Sequence, residues 1–141
     1  MVSFEQYGGG KRDFDFRVGP VAEESWNCAE FADRLWGDVM DILGVPALGG
    51  HRKPDGASGY RYSVDSDAML VTMFVDDDNP GFPWEKVPAM LTPWSRSETL
   101  ENWQMAEHLY TRLDDLGRYL LIVFEEGGMP IASNFDIGDD W

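Results

Sequence analysis

The groups in this chain with the most chemical potential are its 26 carboxylates, two histidines and one cysteine. Asp76-Asp77-Asp78 is the densest carboxylate run, and hard divalent cations favour several such oxygens together. The calcium-loop pattern fails there: counted from Asp76, the fifth position is Pro80 and the twelfth is Val87 where glutamate is needed. The run reads as a solvated turn past a strand end, and Asp136, Asp139 and Asp140 read as an acidic tail. His108 has Gln104 and Arg112 one helical turn to either side, so a helical pair of metal ligands is missing. His51 stands in a glycine-rich loop beside Arg52 and Lys53 and reads as a surface contact.

Nucleophilic chemistry finds no pattern either. Cys28 is the single cysteine, so no intrachain disulfide forms. It falls on the apolar stripe of a helix, where cysteine behaves as a small hydrophobe. Ser58 and Ser63 lack the Gly-x-Ser-x-Gly setting of a nucleophile elbow. Glu125 and Glu126 end an apolar strand and read as turn residues. Gly8-Gly9-Gly10 and Gly49-Gly50 neither follow a strand nor open a helix as a phosphate loop does. No catalytic residue, metal ligand or cofactor is assigned, and an enzyme is not the expected class.

Residues 76–94 are the least ordinary stretch. Pro80, Pro83, Pro88 and Pro93 argue against a continuous helix or a central strand. Phe82, Trp84, Met90 and Trp94 nevertheless carry much apolar area, in a composition that resembles interface hot spots. With Asp76, Asp77, Asp78 and Glu85 beside them, Phe82, Trp84 and Trp94 form the expected partner-binding set.

Charge points the same way. The chain carries 11 Lys+Arg against 26 Asp+Glu, a net −15, with −3 in residues 1–61 and −12 in residues 62–141. Such a field repels phosphate backbones, which disfavours direct nucleic-acid binding, and speeds encounter with a basic protein.

The elements that must position these groups follow from periodicity. At 141 residues and 43% hydrophobic, the chain is long and apolar enough for one core. Residues 1–12 read as a flexible arm, 13–135 as a single domain and 136–141 as an acidic tail. Alternation predicts strands at 13–18 and 60–64, continuous apolar runs predict strands at 69–75 and 119–124, and the turn at Gly127-Gly128 a return strand at 129–133. Pro20 suits the first turn of a helix carrying Val21, Cys28, Phe31, Ala32, Leu35, Val39, Ile42 and Leu43 on one stripe, stopped by Gly44. A capping box, Ser95 with Glu98, opens a second helix striped by Leu100, Trp103, Ala106, Tyr110, Leu113 and Leu116 and ended by Gly117. Residues 46–59 read as a loop. The order β-α-β-β-α-β-β repeats helix plus hairpin over 21–76 and 95–133. An α+β fold, a mostly antiparallel sheet with two helices packed on one face, buries every stripe.

The first ten residues are polar and glycine-rich, and the densest apolar run, Met69–Val75, is too short to span a bilayer, so a cytoplasmic protein with no membrane contact is expected. The functional expectation is an acidic interaction module, of the inhibitor or immunity type, that binds a basic protein partner. The alternative is a small enzyme or ligand-binding domain with a pocket under the 76–94 loop. A homodimer with tryptophans buried across a two-fold axis is compatible with either.

Overall fold

Strands form where apolar and polar residues alternate, and helices where apolar residues recur at three- and four-residue spacing. The computed structural model describes residues 3–7, 13–21, 27–45, 51–55, 59–76, 86–125 and 128–137, the stretch 51–55 by its backbone. In chain order these form β1 (Phe14–Pro20), α1 (Cys28–Leu43), β2 (His51–Asp55), β3 (Gly59–Asp65), β4 (Met69–Asp76), β5 (Ala89–Ser95), α2 (Asn102–Asp115), β6 (Tyr119–Glu125) and β7 (Pro130–Ser133).

Among the described residues the seven strands make one sheet in the order β2-β3-β4-β5-β1-β6-β7, with antiparallel neighbours throughout. α1 packs over β3 and β4, and α2 packs over β5, β1 and β6. Both helices lie on one face, against Phe14, Phe16, Val18, Tyr62, Val71, Met73, Leu91, Leu121 and Val123. The α+β class and its antiparallel sheet are those the sequence implies. No helix among the described residues is long and apolar enough to cross a membrane.

Four expectations change. First, β1 runs on through Gly19-Pro20, so Pro20 ends a strand and does not open a helix. It pairs with Tyr119 of β6 alone, because the register with β5 stops at Val18↔Ala89, so its missing N–H takes nothing from a second ladder. α1 begins at Cys28, where the Asn27 side chain accepts from the Glu30 N–H at 3.1 Å, and Val21 is left exposed. Second, the 76–94 stretch contains a central strand. β5 tolerates Pro93 because its pairing with β1 ends at Leu91, after which only β4 is beside it. Third, the 46–59 loop contains β2, an edge strand whose charges and Pro54 hide any alternation but suit an edge. Fourth, α2 starts at Asn102 with Glu101 as its N-cap, six residues later than the Ser95–Glu98 box implies. Ser95 is buried at the end of β5, its N–H held by the Asn102 side chain at 2.6 Å and its hydroxyl by the Leu100 carbonyl at 2.6 Å. The Gln104 side chain instead accepts from the Glu101 N–H at 2.9 Å.

The arm reading of residues 1–12 fails at Phe4, which is 1% exposed. Its ring lies 6.1 Å from Phe14 and 5.8 Å from Tyr110, and its N–H donates to Glu107 at 2.9 Å. The helix stops hold: Gly44 and Gly117 have φ of +72° and +67°, a region that favours glycine. The repeat is spatially uneven. β1 and β5 lie side by side, yet α1 carries the chain four places along the sheet to β2, whereas α2 carries it two places, over β1, to β6.

Candidate functional site

The expected partner-binding set divides. Asp77, Asp78, Phe82, Trp84 and Glu85 lie outside the described residues. Asp76 ends β4, with its N–H donating to the Pro88 carbonyl at 3.2 Å. Trp94 lies in β5 opposite Leu70, six residues from Asp76 along β4. At about 3.4 Å per residue that is roughly 20 Å, so these two members sit at opposite ends of the ladder.

The outer layer concentrates negative charge. α1 carries Glu30, Asp33, Asp38 and Asp41 against Arg34, and α2 carries Glu107, Asp114 and Asp115 against Arg112. Several of these carboxylates also fasten the helices. Tyr62 of β3 donates to Asp33 at 2.6 Å, Tyr119 of β6 donates to Asp38, and Arg118 lies 3.3 Å from Asp38. α1 is thereby tied to both sides of the sheet. Burial pushes the Tyr110 hydroxyl up to about 12, with the Asp114 charge adding to it. Tyr119 is raised further, by burial first and then by its bond to Asp38. Glu30, Asp41 and Asp115 remain exposed on the surface of this layer.

Among the described residues no helix lies over the other face of the sheet. Alternation along the strands points Arg61, Ser63, Thr72, Phe74, Met90, Thr92 and Trp94 away from the helices. The register aligns them in rows: Arg61, Phe74, Met90 and Arg17 form one, and Ser63, Thr72 and Thr92 the next. Asp15 of β1 extends the second row by accepting from the Thr92 hydroxyl at 2.9 Å. A depression of about 430 Å³ lies over these strands, lined by Arg61, Ser63, Thr72, Phe74, Met90 and Thr92 among others. The Arg61 guanidinium sits 5.4 Å from the Phe74 ring centroid, and the ring edge comes so near Gly59 that a Cβ there would meet it at 2.8 Å. The described residues that line the depression include no carboxylate, histidine or cysteine.

Over β1 the same face is closed. Residues 86–88 cross it so tightly that a Cβ on Gly19 would stand 1.7 Å from the Lys86 carbonyl oxygen. Val87 and Ile122 are both fully buried. Burial lowers the pKa of the Arg17 guanidinium, and the nearby Asp76 charge works against that shift.

Among the described residues no group of three His, Cys, Asp or Glu side chains gathers closely enough to hold a metal ion. The chain matches no family model, no curated protein and no solved structure. Sequence reasoning missed Met90 and Thr92 as strand residues because the prolines hid β5. The strands that carry Arg61, Thr72 and Phe74 were expected from the sequence, but the face on which Thr72 and Phe74 lie was not assigned.

Proposed function

We propose that this chain is a protein-interaction module whose acidic helical layer receives a basic protein partner, in the manner of an inhibitor or immunity-type protein. The observation that carries this reading is the charge of the two helices, seven carboxylates against two guanidiniums, in a chain of net −15. A surface of one sign steers an oppositely charged protein during encounter and opposes wrong partners. Two helices fastened to a sheet present that charge on a stiff platform, which limits the ordering lost on association.

The test is capture on the immobilised chain at about 0.05 M and about 0.3 M salt, where screening differs strongly. Two variants are compared: Glu30→Lys/Asp41→Lys/Asp115→Lys on the helical layer and Met90→Asp on the opposite face. The expected result is a basic protein in stoichiometric amount, released by salt, lost with the helical variant and retained by Met90→Asp. Retention of the same partner by the helical variant, at both salt concentrations, overturns the reading.

A further inference from the structure

We infer that α2 and β1 form a socket for one aromatic residue, and that residues 3–7 act as a releasable strap whose Phe4 fills it. The socket meets Phe4 at three points. The Phe4 ring stacks on Phe14 of β1, with centroids 6.1 Å apart and planes 13° from parallel. It meets Tyr110 of α2 edge-on, with centroids 5.8 Å apart and planes at 65°. The Phe4 N–H donates to the Glu107 carboxylate at 2.9 Å. Glu107 and Tyr110 stand three residues apart on α2 and so share one face of that helix. One turn of α2 therefore holds both the backbone and the ring of a single residue, and β1 supplies the opposite wall.

Among the described side chains of residues 3–6, the strap is held at that point alone. Phe4 is buried, whereas Ser3, Glu5 and Gln6 are exposed. Glu5–Tyr7 makes a single helical turn, too short to be stable by itself. The free energy of local opening falls as a segment holds fewer buried apolar contacts. By that measure residues 3–7 stand at the low end. At the other end stands β6, which lies between β1 and β7 and has Leu121, Ile122 and Val123 fully buried. Closing gains the burial of one ring and one charge-assisted hydrogen bond, and opening returns the backbone freedom of the segment. These opposing terms are of the same order, so the strap opens without the rest of the fold.

Release bares the rings of Phe14 and Tyr110. It also frees the Glu107 carboxylate, one of the seven on the two helices. The strap thereby sets how much ring surface and how much charge α2 presents. The inference concerns a segment of this chain alone, so it stands or falls separately from the proposed function.

The experiment is native-state hydrogen exchange on the full chain, read at the amides of Phe4 and of Ile122 and Val123, at urea concentrations up to about 1 M. It is repeated on Phe4→Ala and Glu107→Ala. In the unmodified chain the Phe4 amide is expected to be protected, yet to exchange at least about a hundredfold faster than the β6 amides. Its rate should not change with urea, because opening the strap exposes little surface, whereas the β6 rates should rise. Glu107→Ala should lower the protection at Phe4, and Phe4→Ala should remove it at position 4. A strap that opens by itself stabilises the fold by no more than its own closing equilibrium. Phe4→Ala should therefore speed β6 exchange by no more than the protection factor measured at Phe4. The inference is overturned if Phe4 exchanges at the rate and with the urea dependence of β6, or if its amide shows no protection, since the socket would then stand empty. It is overturned as well if Phe4→Ala speeds β6 exchange beyond that factor or prevents folding, which would make Phe4 an ordinary core residue.

Discussion

The two faces of the sheet obey different rules. On the helix side Phe16, Val18, Val71, Val75, Leu91, Leu121 and Val123 are at most 0% exposed, and they meet Leu35, Val39, Leu109 and Leu113, which are equally buried. On the other side the same strands present Arg61, Thr72 and Met90 to solvent, and among the described residues closure comes over β1 and β6, where residues 86–88 cross Gly19. One face is therefore a core whose residues are constrained by close packing. The other is a surface whose described residues pack less closely, in ordered rows of charge, ring and hydroxyl. A sheet with one covered face is ordinary for antiparallel architecture, and it makes the uncovered face the place where function is free to vary.

The largest effect expected from this contrast is on stability. Leu35→Ala or Leu109→Ala should lower unfolding free energy by about 2–5 kcal/mol, whereas Met90→Ala should change it by less than about 1 kcal/mol, as urea denaturation would measure. Equal losses at both sites would erase the distinction between the faces. Next comes Gly19→Ala, where residues 86–88 cross the face opposite the helices. The added methyl must displace the Lys86 carbonyl, and overpacking of this kind costs about 1–3 kcal/mol. A neutral result would mean that residues 86–88 lift away easily.

Alkaline titration probes the helix side alone. Tyr110 and Tyr119 hold their protons more tightly folded than unfolded, so their contribution is intact below the unfolded value near 10 and is lost as pH rises. Between about pH 10 and 12 the unfolded chain ionises first, and each such tyrosine removes about 1.4 kcal/mol per pH unit. Melting temperature should fall steeply over that interval, and Tyr110→Phe should flatten the fall. The smallest effect has the opposite sign. Gly37 lies inside α1 with nothing within 4 Å of a built Cβ, so Gly37→Ala should raise stability by about 0.5–1 kcal/mol, visible as a later urea midpoint.

Much of the fold was legible because it rests on local signals. The stripe Phe31, Ala32, Leu35 and Val39 marked α1, and Gly44 and Gly117 marked both helix ends. The alternation at 60–64 and the continuous apolar run at 69–75 marked the β3–β4 hairpin. Three of the errors share one cause: a proline or a charge run was read by its propensity, while the structure placed it where the propensity costs nothing. Pro20 and Pro93 fall where a strand has a neighbour on one side only, and β2 is an edge, where charges and Pro54 do no harm. Phe4 was missed because a single aromatic in a glycine-rich stretch carries no period, and only packing against Phe14 and Tyr110 reveals its place. The candidate site was legible in part. Acidic excess was plain from composition, but the acidic run Asp76-Asp77-Asp78 drew attention away from the carboxylates of the helices.

The sequence by itself determined which residues bury, because the period of its apolar positions sets helix or strand and picks one side of each. It determined the sign of the surface as well, because charge is a sum over residues and needs no coordinates. Tertiary structure decided what lies next to what. That β1 and β5 stand side by side, that Tyr119 reaches Asp38 across 81 residues of chain, and that Asp15 closes a row begun at Ser63 all depend on strand order. Strand order follows from how seven strands and two helices share one core, a collective packing choice that no local pattern encodes.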